Sequence, residues 1–214
     1  MSAQPMFPLQ SALLPGERLP LQIFEPRYSQ LVADCLAMTD PAFGVVLITR
    51  GREVGGGDGR SDVGALARIT EHADHGMGLY QLESVIGERI RVSEWLDDDP
   101  YPRAVIEPWP DEPGPAVMPE QIGEVIDKIL ALFERIVSSR GGQLRSNALA
   151  VEPEVAEDPS LHIYALAARV PMGQADRYAV LAAPTLAERV DVLTDAIETV
   201  TALVEFQIAD DTGE

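Results

Sequence analysis

The sequence predicts an α+β protein in which a β-rich segment with one helix precedes a helical segment. Before residue 110, several short apolar runs alternate with turn-forming glycines and prolines, which is typical of a small barrel-like sheet. Residues 108–119 hold five of the chain's 17 prolines and suit neither a helix nor a central strand. Beyond them the apolar period changes from two residues to about 3.6. We therefore predict a β domain over 1–112, a proline-rich linker over 113–118 and a helical domain over 119–214.

The first two strands are predicted to lie at sheet edges because each contains a proline. Pro8 falls within the apolar run 6–9, and Pro20 within the run 19–24. Proline has no N–H to donate to a sheet ladder, so an edge or a strand end suits both segments. The dipeptide Pro15-Gly16 between them is typical of a turn. An incompletely paired edge can accept an extended peptide, but edge prolines also protect against aggregation, and both interpretations stay open.

A short helix is predicted to follow, beginning at Pro26, whose missing N–H costs nothing in a first helical turn. Apolar residues then repeat at i, i+3, i+4, i+7 and i+8, which indicates one buried stripe. The stripe consists of Tyr28, Leu31, Val32, Cys35 and Leu36. Cys35 is the only cysteine, which excludes an internal disulfide, and its place on the stripe predicts a buried thiol.

The hexapeptide at residues 23–28, IFEPRY, resembles the opening of the Lon protease N-terminal domain. The resemblance covers nearly the whole chain and is sharper before residue 110 than after it. It implies a PUA-like β pseudo-barrel followed by helices, and a role in recognising polypeptide substrates. Further segments match that family in order: Pro8-Leu9, Leu14-Pro15-Gly16, Leu19-Pro20-Leu21, and residues 43–47, 63–69, 87–92 and 101–104.

The sequence lacks the motifs of the ATPase and protease modules that a full-length Lon protease carries. No Gly-x-x-x-x-Gly-Lys-Ser/Thr phosphate loop occurs. The only lysine, Lys128, lies in an amphipathic helical pattern without an identifiable serine partner for a Ser–Lys dyad. No Gly-x-Ser-x-Gly nucleophile elbow occurs either. We therefore expect a free-standing Lon substrate-binding domain that is not an enzyme, with no catalytic residue and no cofactor.

Two other segments could suggest a ligand site but favour structural roles. His72-Ala73-Asp74-His75 brings two histidines and a carboxylate together, but zinc needs a third and usually a fourth protein ligand. The only other histidine is His162, so we expect no metal site and interpret the segment as a hairpin connection. Residues 51–62 are glycine-rich, lack the lysine of a phosphate loop, and are expected to form a surface loop.

The remaining elements follow from apolar periodicity and turn signals. Strands are predicted over residues 43–49, 63–69, 79–85, 90–95 and 101–109, with Gly87 separating the third of these from the fourth. Helices are predicted from Pro119 to Gly141-Gly142, from Asp158-Pro159 to Ala168, over 175–182 and from 186 onward, with a loop over 143–157.

The last predicted helix opens with a capping box, Thr185 to Glu188, and carries a heptad-like seam. A helix packed on its own chain is favoured over an intermolecular coiled coil, because the seam is shorter than about three heptads. A homo-oligomer stays open. The seam consists of Leu186, Val190, Leu193, Ile197, Val200 and Val204.

The chain is strongly acidic in both halves. It carries nine basic and 18 acidic residues over 1–113, and seven basic and 17 acidic residues over 114–214. Nucleic-acid binding normally needs a basic footprint, and an anionic membrane also attracts basic segments. No apolar run approaches the length of a membrane span, and the N-terminus lacks the features of a signal peptide. We expect a cytoplasmic protein that binds neither nucleic acid nor membrane.

Two classes of function remain after these exclusions. The first is a module that binds unfolded or extended polypeptide segments or a partner protein. The second is a small-molecule-binding or enzymatic protein with an unrecognised pocket. Candidate contact residues are Phe24, Glu25, Arg27 and Tyr28 in the family hexapeptide. The helix dipole favours Glu25, Arg27 can pair with an acid from the sheet, and an architectural role for the motif is favoured over direct ligand contact.

Overall fold

The computed structural model describes residues 3–50, 59–145 and 147–212. The chain divides into two compact units, Met1–Pro110 and Asp111–Glu214. The described residues of the first unit form six strands and one helix, and those of the second form five helices. The predicted α+β class is therefore confirmed. Among the described residues, no helix combines the length and apolar character needed to cross a membrane.

The six strands form one sheet in the order β2-β5-β4-β3-β1-β6. Strand β6 pairs with β5 as well as with β1, so the pairings β5–β4–β3–β1–β6 close into a ring. Every pairing is antiparallel except the parallel pairing of β1 with β3. The strands are β1 (Gln4–Leu9), β2 (Arg18–Ile23), β3 (Ala42–Arg50), β4 (Gly59–Asp74), β5 (Tyr80–Trp95) and β6 (Arg103–Pro108).

Strand β5 is one continuous strand, so the predicted break at Gly87 is wrong. Its first half pairs with β2 and its second half with β6. The register against β4 shifts near Gly87, because Ala65 pairs with Arg89 whereas Ala67 pairs with Ile86. Glycine in a strand often marks such an irregularity, and here the sheet continues through it.

Strand β4 is longer than predicted at both ends. Residues 59–62 belong to the strand and not to the predicted loop, and the rest of that loop, 51–58, lies outside the described residues. Residues 72–74 also belong to β4, so the predicted hairpin connection begins too early. Both β4 and β5 are 16 residues long, and their pairing extends as far as Asp74 opposite Tyr80.

The edge prediction is correct for one proline-containing strand and wrong for the other. Among the described residues β2 pairs only with β5, as predicted. Strand β1 instead lies between β3 and β6. Only Gln4 and Pro5 pair with β6, and Pro8 lies beyond these pairs, opposite Val46 of β3. The missing N–H of Pro8 therefore removes no β1–β6 ladder bond.

Helix α1 (Pro26–Leu36) covers one face of the sheet with the predicted stripe. Tyr28, Leu31, Val32 and Cys35 are buried, and Leu36 is partly buried against the same cluster. The rings of Tyr28 and Phe7 stack with centroids 4.1 Å apart. A second buried cluster contains residues of β1, β3, β5 and β6: Met6, Val46, Ile90, Val92 and Ala104.

The described part of the second unit contains five helices. The predicted loop over 143–157 is wrong at its end, because residues 153–157 form the short helix α3. Helix α3 has five residues and begins with Pro153, too short to show an apolar period. The Asp158 cap is confirmed, since its carboxylate accepts the Ser160 N–H at 2.9 Å. The helices are α2 (Pro119–Ser139), α3 (Pro153–Glu157), α4 (Pro159–Ala167), α5 (Gln174–Ala182) and α6 (Leu186–Thr212).

The heptad-like seam of α6 is used inside the chain. Val190, Leu193, Ile197 and Val200 are buried, and α6 packs on α2, α4 and α5. The interpretation of α6 as a helix packed on its own chain is therefore confirmed. The predicted cap is also present, since the Glu188 N–H donates to Thr185 Oγ1 at 3.1 Å.

We expect Gly64→Ala to lower the free energy of unfolding by about 3 kcal/mol, because the new Cβ overpacks the β3–β4 pair. That Cβ would lie 2.1 Å from the Val45 carbonyl oxygen and 2.7 Å from Val46 Cγ1. Gly123→Ala on α2, where no heavy atom beyond the adjacent residues and the surrounding helix backbone lies within 4 Å of the new Cβ, should instead stabilise the helix by about 0.5–1 kcal/mol. Urea unfolding measures both, and equal stabilities for the two variants would contradict the packing described for β4.

Candidate functional site

Side chains and backbone of the family hexapeptide contact one another at the start of α1. The Glu25 carbonyl oxygen accepts the N–H groups of Tyr28 and Ser29 at the start of α1. Arg27 Nε donates to Glu25 Oε2 at 3.1 Å, and the guanidinium lies 4.4 Å from the centre of the Tyr28 ring. Glu25 of the motif itself is therefore one acidic partner of Arg27. Phe24 differs from these residues, because 67% of its surface is exposed.

Phe24 lines a groove between α1 and the tip of the β4–β5 hairpin. The groove has a volume of about 310 Å³, and its walls include Pro26, Ser29, Met77 and Tyr80. We call it the Phe24–Met77 groove. The hairpin tip is fixed to the helix, because Ser29 Oγ donates to the Gly78 carbonyl oxygen at 2.5 Å.

Backbone pairing brings three exposed apolar residues to one end of the β2–β5 pair, and two of them, Phe24 and Met77, line this groove. Ile23, the last residue of β2, pairs with Tyr80, the first residue of β5. Phe24 and Leu79 therefore lie next to each other just beyond that pair, and Met77 follows at the hairpin tip. All three side chains are exposed.

Met77 combines an unfavourable backbone conformation with complete exposure. Its φ is +55°, between Gly76 at +78° and Gly78 at +79°. Left-handed backbone costs a residue with a Cβ about 1–2 kcal/mol, and glycine would avoid that cost. The relative exposure of Met77 is 102%, so it gains no compensating burial. This combination motivates the hypothesis that Met77 has a functional role.

Met77 and Leu79 are not among the candidate residues that the sequence predicts. The segment Gly76-Met77-Gly78 follows the histidines, and its glycines predict only a turn. A turn needs the glycines, but it does not need methionine between them. A large apolar side chain between two turn glycines is therefore the sequence signal that points to Met77.

Cys35 and its neighbours are not arranged for nucleophilic chemistry. Burial and the nearby Asp34 carboxylate raise the pKa of the Cys35 thiol to about 12. The thiol donates to the Ala42 carbonyl oxygen at 3.3 Å. Tyr101 Oη donates to Asp34 Oδ2 at 2.6 Å, and burial followed by this hydrogen bond raises the pKa of the Tyr101 phenol. A neutral thiol is a weak nucleophile.

The raised pKa of Tyr101 predicts a specific loss of stability in alkali. The fold favours the neutral phenol, so its contribution is present below the unfolded pKa of about 10 and is lost as pH rises toward the folded pKa. We expect Tyr101→Phe to be about 1–2 kcal/mol less stable than the wild type at pH 8. This difference should shrink above about pH 10. Urea unfolding at several pH values measures it, and a difference that stays constant from pH 8 to pH 11 would contradict this account.

The second unit contains a separate groove at the ends of α2 and α6 and the start of α5. Its volume is about 690 Å³, and Ile136, Val200, Leu203 and Val204 contribute apolar walls. Arg140 and Asp176 are its charged residues. Phe206, also on α6, is exposed.

The histidines do not form a metal centre within residues 3–50, 59–145 and 147–212. His72 lies in β4, and His162 lies in α4. In these ranges no three His, Cys, Asp or Glu side chains are grouped closely enough to hold a metal ion.

The geometry defines a two-unit α+β protein whose first unit presents an open groove with apolar and polar walls. A model of the ATP-dependent protease La (LON) substrate-binding domain matches residues 3–199, so this chain belongs to that family. The family resemblance predicted from the hexapeptide is thereby confirmed.

Two solved structures have a similar fold. The crystal structure of the Lon N-terminal domain protein from Xanthomonas campestris has a TM-score of 0.64 and 24% identity, covering 91% of this chain and 98% of that chain. The N-terminal domain of the Mycobacterium avium complex Lon protease has a TM-score of 0.60 and 14% identity, with coverages of 92% and 98%. No curated protein matches the chain.

Proposed function

We propose that this chain is a non-catalytic module that binds extended apolar segments of unfolded polypeptides or of a partner protein in the Phe24–Met77 groove. The observation that carries the proposal is Met77, a fully exposed apolar side chain held in a left-handed backbone conformation. Membership of the LON substrate-binding domain family supports the same class of ligand.

Of the four hexapeptide candidates, only Phe24 is proposed to touch the ligand. Tyr28 is buried against Phe7, and Arg27 pairs with Glu25 at the helix start. These residues hold α1 in place and thereby position Phe24. The proposed contact surface consists of Phe24, Met77 and Leu79, three large exposed apolar side chains.

The outer edge of β2 is the proposed source of backbone hydrogen bonds to the ligand. Among the described residues β2 pairs only with β5, and it ends at Ile23, immediately before Phe24. An extended segment can therefore add to the edge of β2 while its alternate side chains enter the groove. Pro20 interrupts the edge, so pairing is expected over Leu21–Ile23 and affinity should be weak.

The charge of the chain predicts which extended segments bind best. With a formal net charge of −19, the protein should prefer peptides that alternate apolar residues with lysine over peptides that alternate them with glutamate. We expect a preference of about tenfold at low salt that falls to about two- or threefold in 0.5 M salt. Fluorescence anisotropy of two labelled peptides with the same apolar residues measures this directly.

The same titration tests the function itself. Folded proteins and RNA should bind far more weakly than the lysine-containing peptide, and mass spectrometry should find that peptide intact afterwards. Equal affinity for the two peptides at low salt, or tighter binding to RNA, would contradict a polypeptide-binding role. Cleavage of the peptide by rigorously purified protein would contradict the non-catalytic assignment.

We also propose that the β unit is a PUA-like pseudo-barrel and that the chain is organised as 1–112, a linker over 113–118 and a helical domain over 119–214. The closed pairing of β5, β4, β3, β1 and β6 supports the first proposal. Irregular backbone from Trp109 to Met118, followed by α2 at Pro119, supports the second.

A further inference from the structure

Met77 is the most exposed of the described methionines. Its flanking residues, Gly76 and Gly78, have no side chains that could shield the sulfur. Relative exposures form a graded series: Met77 102%, Met118 55%, Met38 37%, Met172 7% and Met6 0%. Met1 lies outside the described residues.

We propose that Met77 is a site of reversible oxidation by peroxides, and that its sulfoxide weakens ligand binding in the Phe24–Met77 groove. The proposal rests on the proposed function, because the regulated activity is polypeptide binding. It follows from the position of one oxidisable sulfur at the exposed wall of this groove, beside the apolar ring of Phe24.

The chemistry requires a hydroperoxide and no group from the protein other than the thioether. A sulfur lone pair attacks the terminal oxygen of the hydroperoxide, an S–O bond forms and the O–O bond breaks. Proton transfer releases water or an alcohol. The sulfur loses two electrons and the peroxide gains them. A thiol-dependent methionine sulfoxide reductase reverses the change by removing the oxygen as water.

Oxidation changes the surface that an apolar segment would contact. A thioether is apolar and flexible, whereas a sulfoxide is polar and accepts hydrogen bonds, so an apolar ligand must desolvate it. Phe24 and Leu79 remain in place, which makes the expected effect a weakening and not a complete loss.

The described thiol does not compete for the oxidant. Cys35 is fully buried among the residues beneath α1, and its sulfur contacts the Ala42 carbonyl. Reaction with peroxide follows thiolate character and exposure, and Cys35 lacks both.

The test treats the full chain with hydrogen peroxide and follows each methionine by peptide mass spectrometry. Oxidation should occur in the order of exposure, with Met77 first and at least about tenfold faster than Met6 or Met172. At one oxygen per chain, affinity for the lysine-containing peptide should fall about fivefold, and reductase treatment should restore it.

Two variants separate Met77 from Met38 and Met118, the other exposed methionines among the described residues. Met38→Leu/Met118→Leu should bind peptide normally and still lose affinity with peroxide. The affinity of Met77→Leu, whatever its starting value, should not change with peroxide.

Three outcomes would overturn the inference in distinguishable ways. If Met118 or Met38 is oxidised faster than Met77, Met77 is not the selective site of oxidation. Selective oxidation of Met77 with unchanged affinity removes the switch and leaves the proposed function standing. If the reduced protein does not bind the peptide at all, the proposed function fails and the switch fails with it.

Discussion

Arg189→Met is expected to lower the free energy of unfolding of the second unit by about 3 kcal/mol, because it removes one partner of a buried ion pair. Arg189 has no exposed surface. Its guanidinium pairs with the Asp111 carboxylate, donates to Ser160 Oγ at 2.8 Å and lies 4.2 Å from the centre of the Tyr164 ring. It thereby joins the segment before α2 to α4 and α6. Loss of the cation leaves Asp111 without its charged partner, although partial exposure of Asp111 moderates the penalty.

Lys128→Met provides the matched control. Lys128 also pairs with an acid, Glu198, but both side chains are substantially exposed. Exposed pairs contribute about 0–1 kcal/mol, so this variant should unfold close to the wild type. Arg189→Lys keeps the charge but loses the planar guanidinium group. Its free energy of unfolding should therefore lie between those of Arg189→Met and Lys128→Met. Urea unfolding compares all three, and similar midpoints for Arg189→Met and Lys128→Met would contradict a buried ion pair at Arg189.

The double variant Phe24→Ser/Met77→Ser is expected to weaken binding of the lysine-containing peptide by at least about tenfold, since it removes two apolar contacts from the groove. Stability should change little, because both side chains are exposed in the free protein. Isothermal titration calorimetry measures the affinity, and urea unfolding checks the fold.

Leu203→Ser/Phe206→Ser is the control for nonspecific loss of apolar surface. Both residues are exposed on α6 in the second unit, and Leu203 lines the other groove. Peptide affinity of this control should match that of the wild type. If the α6 variant loses affinity and the Phe24/Met77 variant keeps it, the binding site has been assigned to the wrong unit.

Local sequence signals predict the elements that depend on local physics. The α1 stripe from Tyr28 to Cys35 is buried as its spacing indicates, and Asp158 caps α4 as its side chain permits. Gly87 shows where such signals fail. A glycine within an apolar run predicts a break, but pairing with β4 on one side and with β2 and β6 on the other continues the strand through it. That pairing comes from residues distant in sequence.

The candidate site was only partly predictable for the same reason. Phe24 stands out because it belongs to the hexapeptide, yet nothing near it in the sequence indicates Met77. The two side chains share a groove because Ile23 pairs with Tyr80 and Ser29 holds Gly78. Arg189 presents the opposite problem. Arginine in an amphipathic helix predicts a solvated position, and only the packing of α4 and Asp111 around it causes its burial.

Amide chemical-shift mapping tests most directly whether the Phe24–Met77 groove binds polypeptide. The full chain, labelled with ¹⁵N, is titrated with the unlabelled lysine-containing peptide. We expect the largest shifts at residues 21–24, 29–30 and 76–80, and negligible shifts throughout α2 to α6. Largest shifts within the helices of the second unit, or the absence of any saturable shift, would contradict the assignment of polypeptide binding to this groove.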